Sequence, residues 1–161
     1  MDPILILLGV LVVACTALQG VGVFTQAWIT NGEGRAMGIV PYYVNDPTWL
    51  IASSIMMWAS FFTFVLVLTY YIILMIKISK FGYLSIYRRF LYQMVLEVIL
   101  VIGLTVVSLI LVGTNINKFG LYLGYSAWIC VGSISLSLGI IGICMHSLKK
   151  FNETQAFVPG Q

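Results

Sequence analysis

The sequence predicts an all-α integral membrane protein, a four-helix bundle with both termini on the cytoplasmic side. Three observations lead there. Four apolar stretches, Ile4–Phe24, Trp49–Ile76, Phe90–Gly113 and Leu121–Met145, cover most of the 161 residues. Each is about as long as the roughly 20 helical residues that cross a bilayer core. The chain is 61% hydrophobic and 8% charged, too few charges to coat a water-facing surface. The basic residues cluster in alternate connections, as the charge rule for cytoplasmic loops requires. The length is used up by four spans and their loops, so residues 1–161 form one transmembrane domain.

The first stretch, 4–24, is read as a retained helix. The charge before it is Asp2, with no basic n-region, and it exceeds the h-region of a cleaved signal. The connection 25–48 lies outside or in a lumen. The second stretch, 49–76, runs into Lys77 and Lys80, and Arg88 and Arg89 precede the third. With Lys149 and Lys150 after the fourth span, these are six of the eight basic residues, all on one side. Arg35 and Lys118 stand alone in the other loops. The six mark topology, and they also suit anionic lipid headgroups. Between the two basic pairs, Phe81–Tyr87 reads as an interfacial stretch. The sequon Asn152-Glu153-Thr154 is cytoplasmic on this topology and stays unmodified. Residues 156–161 read as a short tail.

The third span carries Glu97, the one acidic residue inside an apolar stretch, with Gln93 a turn before it. Eight residues beyond Arg89, it lies about 12 Å into the helix. An ionisable group at that depth is a candidate functional site. Three readings compete: a protonated carboxyl hydrogen-bonded within the bundle, a pair with a partner's cation, or the lining of an ion or lipid path. The first is adopted, because one carboxyl without other intramembrane charges makes a poor relay. Gln93 and His146 are its candidate partners. The fourth span carries Gly132, Ser135, Gly139 and Gly142 at three- and four-residue steps. Such a face lets helix backbones approach closely. It is assigned to packing within the bundle, with docking of a partner helix as the alternative.

Cys15, Cys130 and Cys144 all fall inside apolar stretches and read as small buried residues rather than a disulfide framework. Trp28, Tyr42, Tyr43, Trp49, Tyr122, Tyr125 and Trp128 read as an aromatic belt. Thr105, Ser108, Ser133, Ser135 and Ser137 keep a channel in view, although such hydroxyls usually bond to their own helix. No catalytic motif appears, and a single histidine provides no multi-histidine metal site. No enzyme, cofactor, metal or nucleic-acid partner is expected.

Phe24-Thr25-Gln26-Ala27-Trp28-Ile29 closes the first helix, and Gly38-Ile39-Val40-Pro41-Tyr42 follows in the loop that ends at Trp49. In this order, with four spans, inside termini and a longer first outer loop, the chain resembles the claudin-like tetraspans. These include claudins, peripheral myelin proteins, lipoma-fusion-partner-like proteins and calcium-channel gamma subunits. Claudins place two cysteines in the first outer loop; this loop has none and is about half as long, so little extracellular sheet is expected. The resemblance implies a left-handed four-helix bundle and brings no catalytic residues. The function expected is a non-enzymatic accessory subunit of a larger membrane complex, at the plasma membrane or endoplasmic reticulum, in contact with membrane lipids. The alternatives are a claudin-like junction or adhesion protein and a small oligomeric channel or transporter.

Overall fold

The computed structural model describes residues 3–31, 35–40, 46–81 and 86–156, the side chains at 81, 86, 119 and 150–156 excepted. Pro41, Tyr42, Tyr43, the middle of the stretch 81–87, the side chains of Lys150 and the sequon, and residues 157–161 lie outside that description. Four helices dominate: α1 (Pro3–Phe24), α2 (Thr48–Phe81), α3 (Ile86–Ile116) and α4 (Tyr125–Ala156). All four are long and apolar enough to cross a membrane. In hydrocarbon each backbone amide must find its partner within the protein, which an apolar helix achieves internally. Outward side chains such as Val10, Leu66, Leu96, Ile110 and Leu138 are apolar and exposed, as a lipid solvent allows.

The helices pack in the cyclic order α1, α2, α3, α4, with α2 against α3 and α1 against α4 the most extensive contacts. One end of the bundle carries the basic residues (the basic end). The opposite end carries a small sheet (the sheet end). There β1 (Ile29–Thr30) lies between β2 (Ala36–Met37) and β3 (Tyr122–Leu123), antiparallel to both. Ile29 pairs with Met37 on one side and Leu123 on the other.

This sheet is small, as the short first loop leads one to expect: that loop supplies β1 and β2, and the connection between α3 and α4 adds β3. One expectation is corrected. Leu121, read as the start of the fourth span, precedes that strand, and α4 begins at Tyr125.

Trp28 ties the sheet end to the helices. Its indole is fully buried, and Nε1 donates to the Gly22 carbonyl at 2.6 Å. The neighbouring backbone is shared three ways. Trp28 N donates to Met37 O at 3.0 Å, Gly124 N to Trp28 O at 2.8 Å and Ser126 N to Ala27 O at 3.1 Å. Gly124 is required here, since a Cβ at that position would overlap the Ala27 carbonyl. The hydroxyls of Thr25 and Ser126 meet at 2.7 Å beside it. Trp28 is therefore no part of an aromatic belt, whereas Tyr122, Tyr125 and Trp128 are exposed and fit one.

The buried core falls into two apolar clusters. One, at the sheet end, gathers Val23, Trp28, Ile39, Val40, Leu50, Met57, Val112 and Cys130. The other, toward the basic end, gathers Leu8, Val12, Phe64, Val67, Met94, Val98, Val101, Ile140 and Cys144. Cys15, Cys130 and Cys144 are free and buried, as small apolar residues. Tyr87 is 3% exposed and belongs to the core, so the interfacial reading fails at that residue.

Two substitutions test the tie at the sheet end. Trp28→Ala is expected to lower stability by about 3–5 kcal/mol through the lost indole volume. Gly124→Ala is expected to cost about 1–3 kcal/mol, because the methyl must displace the Ala27 carbonyl. Reversible unfolding in detergent micelles measures both, and an unchanged midpoint in either variant would contradict the arrangement.

Candidate functional site

Between the two apolar clusters lies a polar layer, built from one residue of each of three helices. Gln19 of α1, Ser60 of α2 and Thr105 of α3 are all fully buried. Gln19 Nε2 donates to Ser60 Oγ at 2.8 Å and to Thr105 Oγ1 at 3.3 Å. Thr105 gives its own proton to the Val101 carbonyl at 2.8 Å. The 2.9 Å contact between the two hydroxyls therefore takes its proton from Ser60. This assignment uses each proton once and fills both lone pairs of Thr105 Oγ1. Gln19 Oε1 accepts nothing from the described residues. The contact to Thr105 runs from α1 to α3, diagonally across the bundle.

The fourth helix joins at the same level by other means. Ser133 Oγ lies 3.5 Å from the Cys15 carbonyl, and Cys15 Sγ lies 3.8 Å from the Ser133 carbonyl. Ser137 bonds back to Ser133 O at 2.7 Å. Toward the sheet end, Ser108 Oγ reaches the Ser53 carbonyl at 3.3 Å, linking α3 to α2. Thr105, Ser135 and Ser137 do bond to their own helices, as expected, while Ser108 and Ser133 bond across helices.

Glu97 is 9% exposed, on the bundle side of α3. Gln93 Nε2 donates to its Oε1 at 3.1 Å, while Oε2 has no hydrogen-bond partner among the described residues. His146 is exposed on α4. Gln93 is thus the partner the structure gives, from the same helix one turn earlier. Among the described residues no group of three His, Cys, Asp or Glu could hold a metal ion.

The small residues of α4 lie elsewhere than assigned. Gly132, Ser135, Gly139 and Gly142 are all exposed, with Gly139 at the margin of the contact with α1. A Cβ at Gly132 or Gly142 would meet nothing within 4 Å, and one at Gly139 would touch Leu11 Cδ1 at 3.4 Å. The side of α4 buried in the bundle is Cys130, Ser133, Ser137, Ile140 and Cys144. The two sets run side by side at similar spacing. The bundle takes the set whose hydroxyls and thiols can bond across to α1, and the glycine set faces away.

The outer-loop residues converge instead. Trp28 is central, Ile39 and Val40 are buried beside it, and Trp49 packs against the same cluster. Gly38 turns close over Gln26, whose Cα would lie 3.2 Å from a Cβ there. At the basic end, Lys80, Arg88, Arg89 and Lys149 are exposed and Lys77 is half-buried. The residue that sequence reasoning passed over is Gln19. Its signal was present, as the one amide inside the first apolar stretch.

The polar layer makes an ordered set of expectations. Gln19→Ala, which removes the hydrogen bonds and leaves a cavity, is expected to cost about 2–4 kcal/mol. Gln19→Leu fills the space and should cost no more than about 2 kcal/mol. Equal losses would contradict the hydrogen-bonded account. Glu97→Gln preserves shape and an acceptor for Gln93, and is expected to change stability by less than about 1 kcal/mol. Steric-trap unfolding in bicelles reads all three.

The family model described as "Tight junction protein, Claudin-like" matches residues 1–155. A comparison with curated proteins finds no match. Four membrane-spanning helices, a sheet strung between the two outer connections and a buried tryptophan after the first helix accompany a family match over nearly the whole chain. The chain belongs to the claudin-like family of tetraspan membrane proteins.

Proposed function

We propose that this chain is a non-enzymatic accessory subunit that associates side by side with a larger integral membrane protein, through the outward face of α4. The observation that carries the reading is the exposure of Gly132, Ser135, Gly139 and Gly142. In lipid, helices are not driven together by the hydrophobic effect, and close backbone approach over small residues is a principal source of attraction. The bundle leaves this face unused. The start of α1 and the end of α4 share the basic end, and the charge rule supports a cytoplasmic reading of it. Among the described residues, the opposite end presents three strands of two residues each and one 3-10 turn, Asn117–Phe119, beyond the helices. Such a small structure offers little area for contact across an intercellular gap.

The second reading is a junction or adhesion protein. The family description favours it, as does the formed sheet. Either role places the protein as a multi-pass component of a membrane, at the cell surface or in the endoplasmic reticulum.

The double variant Gly132→Leu/Gly142→Leu separates the two, because both side chains enter open space and leave the bundle intact. Affinity purification in mild detergent is expected to recover a stoichiometric larger membrane protein with the native chain. The double variant should retain its thermal midpoint and lose that partner by roughly ten-fold or more. Recovery of the native chain only as a homo-oligomer, concentrated at cell contacts, would support the junction reading instead.

A further inference from the structure

We propose that the corner between α2 and α3 at the basic end binds the headgroup of an anionic phospholipid, with Lys77, Lys80, Arg88 and Arg89 as its cations. The inference is independent of the accessory reading. The C-terminus of α2 and the N-terminus of α3 meet here, joined by residues 82–85. Topology alone accounts for basic residues at this end of a membrane protein. It does not account for how two of them are held.

Lys77 Nζ lies 5.0 Å from the centroid of the Phe90 ring, on the neighbouring helix. Phe90 is braced in turn by Tyr70, ring centroids 6.1 Å apart. The Lys77 ammonium is thus held over Phe90, the residue that follows Arg89 in the chain. The Arg88 guanidinium lies 5.6 Å from the centre of the Tyr92 ring, one turn further into α3. Both contacts are cation–π geometries, which hold a charge over a ring at modest cost in solvation. They draw the two charges along the helices toward their apolar parts. Free lysine and arginine side chains would extend the other way, into water.

Among the described residues no carboxylate neutralises this set, and the negative end of the α2 dipole offsets only Lys77 and Lys80. The first turn of α3 contains no acidic residue, and the positive end of the helix dipole adds to Arg88 and Arg89 rather than offsetting them. Glu97 is the acidic side chain nearest along α3, about 12 Å beyond Arg89, with one oxygen bonded to Gln93. The corner therefore has two cations held over aromatic rings, Lys77 over Phe90 and Arg88 over Tyr92, and no acidic partner among the described residues. A phospholipid supplies what this lacks: phosphate and carboxylate oxygens for the cations and acyl chains along the exposed Leu96, Ile99 and Ile76. A soluble anion would match only the first part.

The test is lipid selectivity of the full chain reconstituted in phosphatidylcholine, read by electron paramagnetic resonance of spin-labelled lipids. Spin-labelled phosphatidylserine is expected to associate several-fold more strongly than spin-labelled phosphatidylcholine. Neutralising Lys77, Arg88 and Arg89 to Gln together is expected to remove most of that preference, bringing the two lipids to within about two-fold of each other. Arg88→Lys and Arg89→Lys together should retain most of it, which shows that charge and not folding is read. Equal association of the two lipids with the native chain would overturn the proposal, as would a preference unmoved by the triple change. Displacement of phosphatidylserine by inorganic phosphate, beyond the effect of chloride at equal ionic strength, would overturn the assignment to lipid.

Discussion

The side-chain amide of Gln19 crosses the bundle from α1, and the placement of α2 and α3 follows from what it reaches there. An amide in hydrocarbon without partners is costly, so α1 must sit where Ser60 and Thr105 can both accept from it. That condition fixes the rotation of three helices at one level. The apolar clusters above and below then set how closely they pack. Lipid tails are as apolar as the core, so burial of apolar surface does not by itself bring the helices together. The directional contacts select the arrangement, and dispersion between well-fitted side chains holds it. The fourth helix enters through Ser133 and Cys15, whose longer contacts make α4 the least firmly specified by hydrogen bonding.

The sheet end solves a different problem. Claudins carry a cysteine pair in the first outer loop, and this chain has none there. Here the loop is secured by burial and backbone pairing. Trp28 fills the space between the ends of α1 and α4, its N–H is satisfied by Gly22, and Ala27 and Trp28 bond to the first residues after the second loop. The two outer connections are thereby one unit, though they are about ninety residues apart in the chain. Their small size is what shifts the proposed function toward contacts within the membrane.

Much of this was legible in the sequence, for reasons that are physical. Span number and rough position follow from lipid as solvent, and only their ends moved, as where Tyr122 and Leu123 pair with Thr30 and Ile29 instead of entering α4. The loop motif was visible, but not that Trp28 is a core residue, since burial there depends on a strand supplied by residues 122–123. The face of α4 was misassigned because Ser133/Ser137 and Gly132/Ser135/Gly139 share the same periodicity. Spacing alone does not say which stripe turns inward. The choice depends on Cys15 of α1, a long-range pairing that a local pattern does not contain. Gln19 was overlooked because it stands alone in an apolar stretch, and of its partners Thr105 looked committed to its own helix while Ser60 carried no local signal.

If the contacts of Ser133 with Cys15 orient α4, its glycine stripe must turn away from the bundle, and this is the point on which the account stands. The most direct measurement is a nitroxide scan of residues 130–144 in a cysteine-free background, with oxygen collision rates recorded in bilayers. The account predicts high oxygen accessibility at 132, 135, 139 and 142, and low values at 133, 137, 140 and 144. The reverse phase along α4 would contradict it, and would return the glycines to the interior of the bundle.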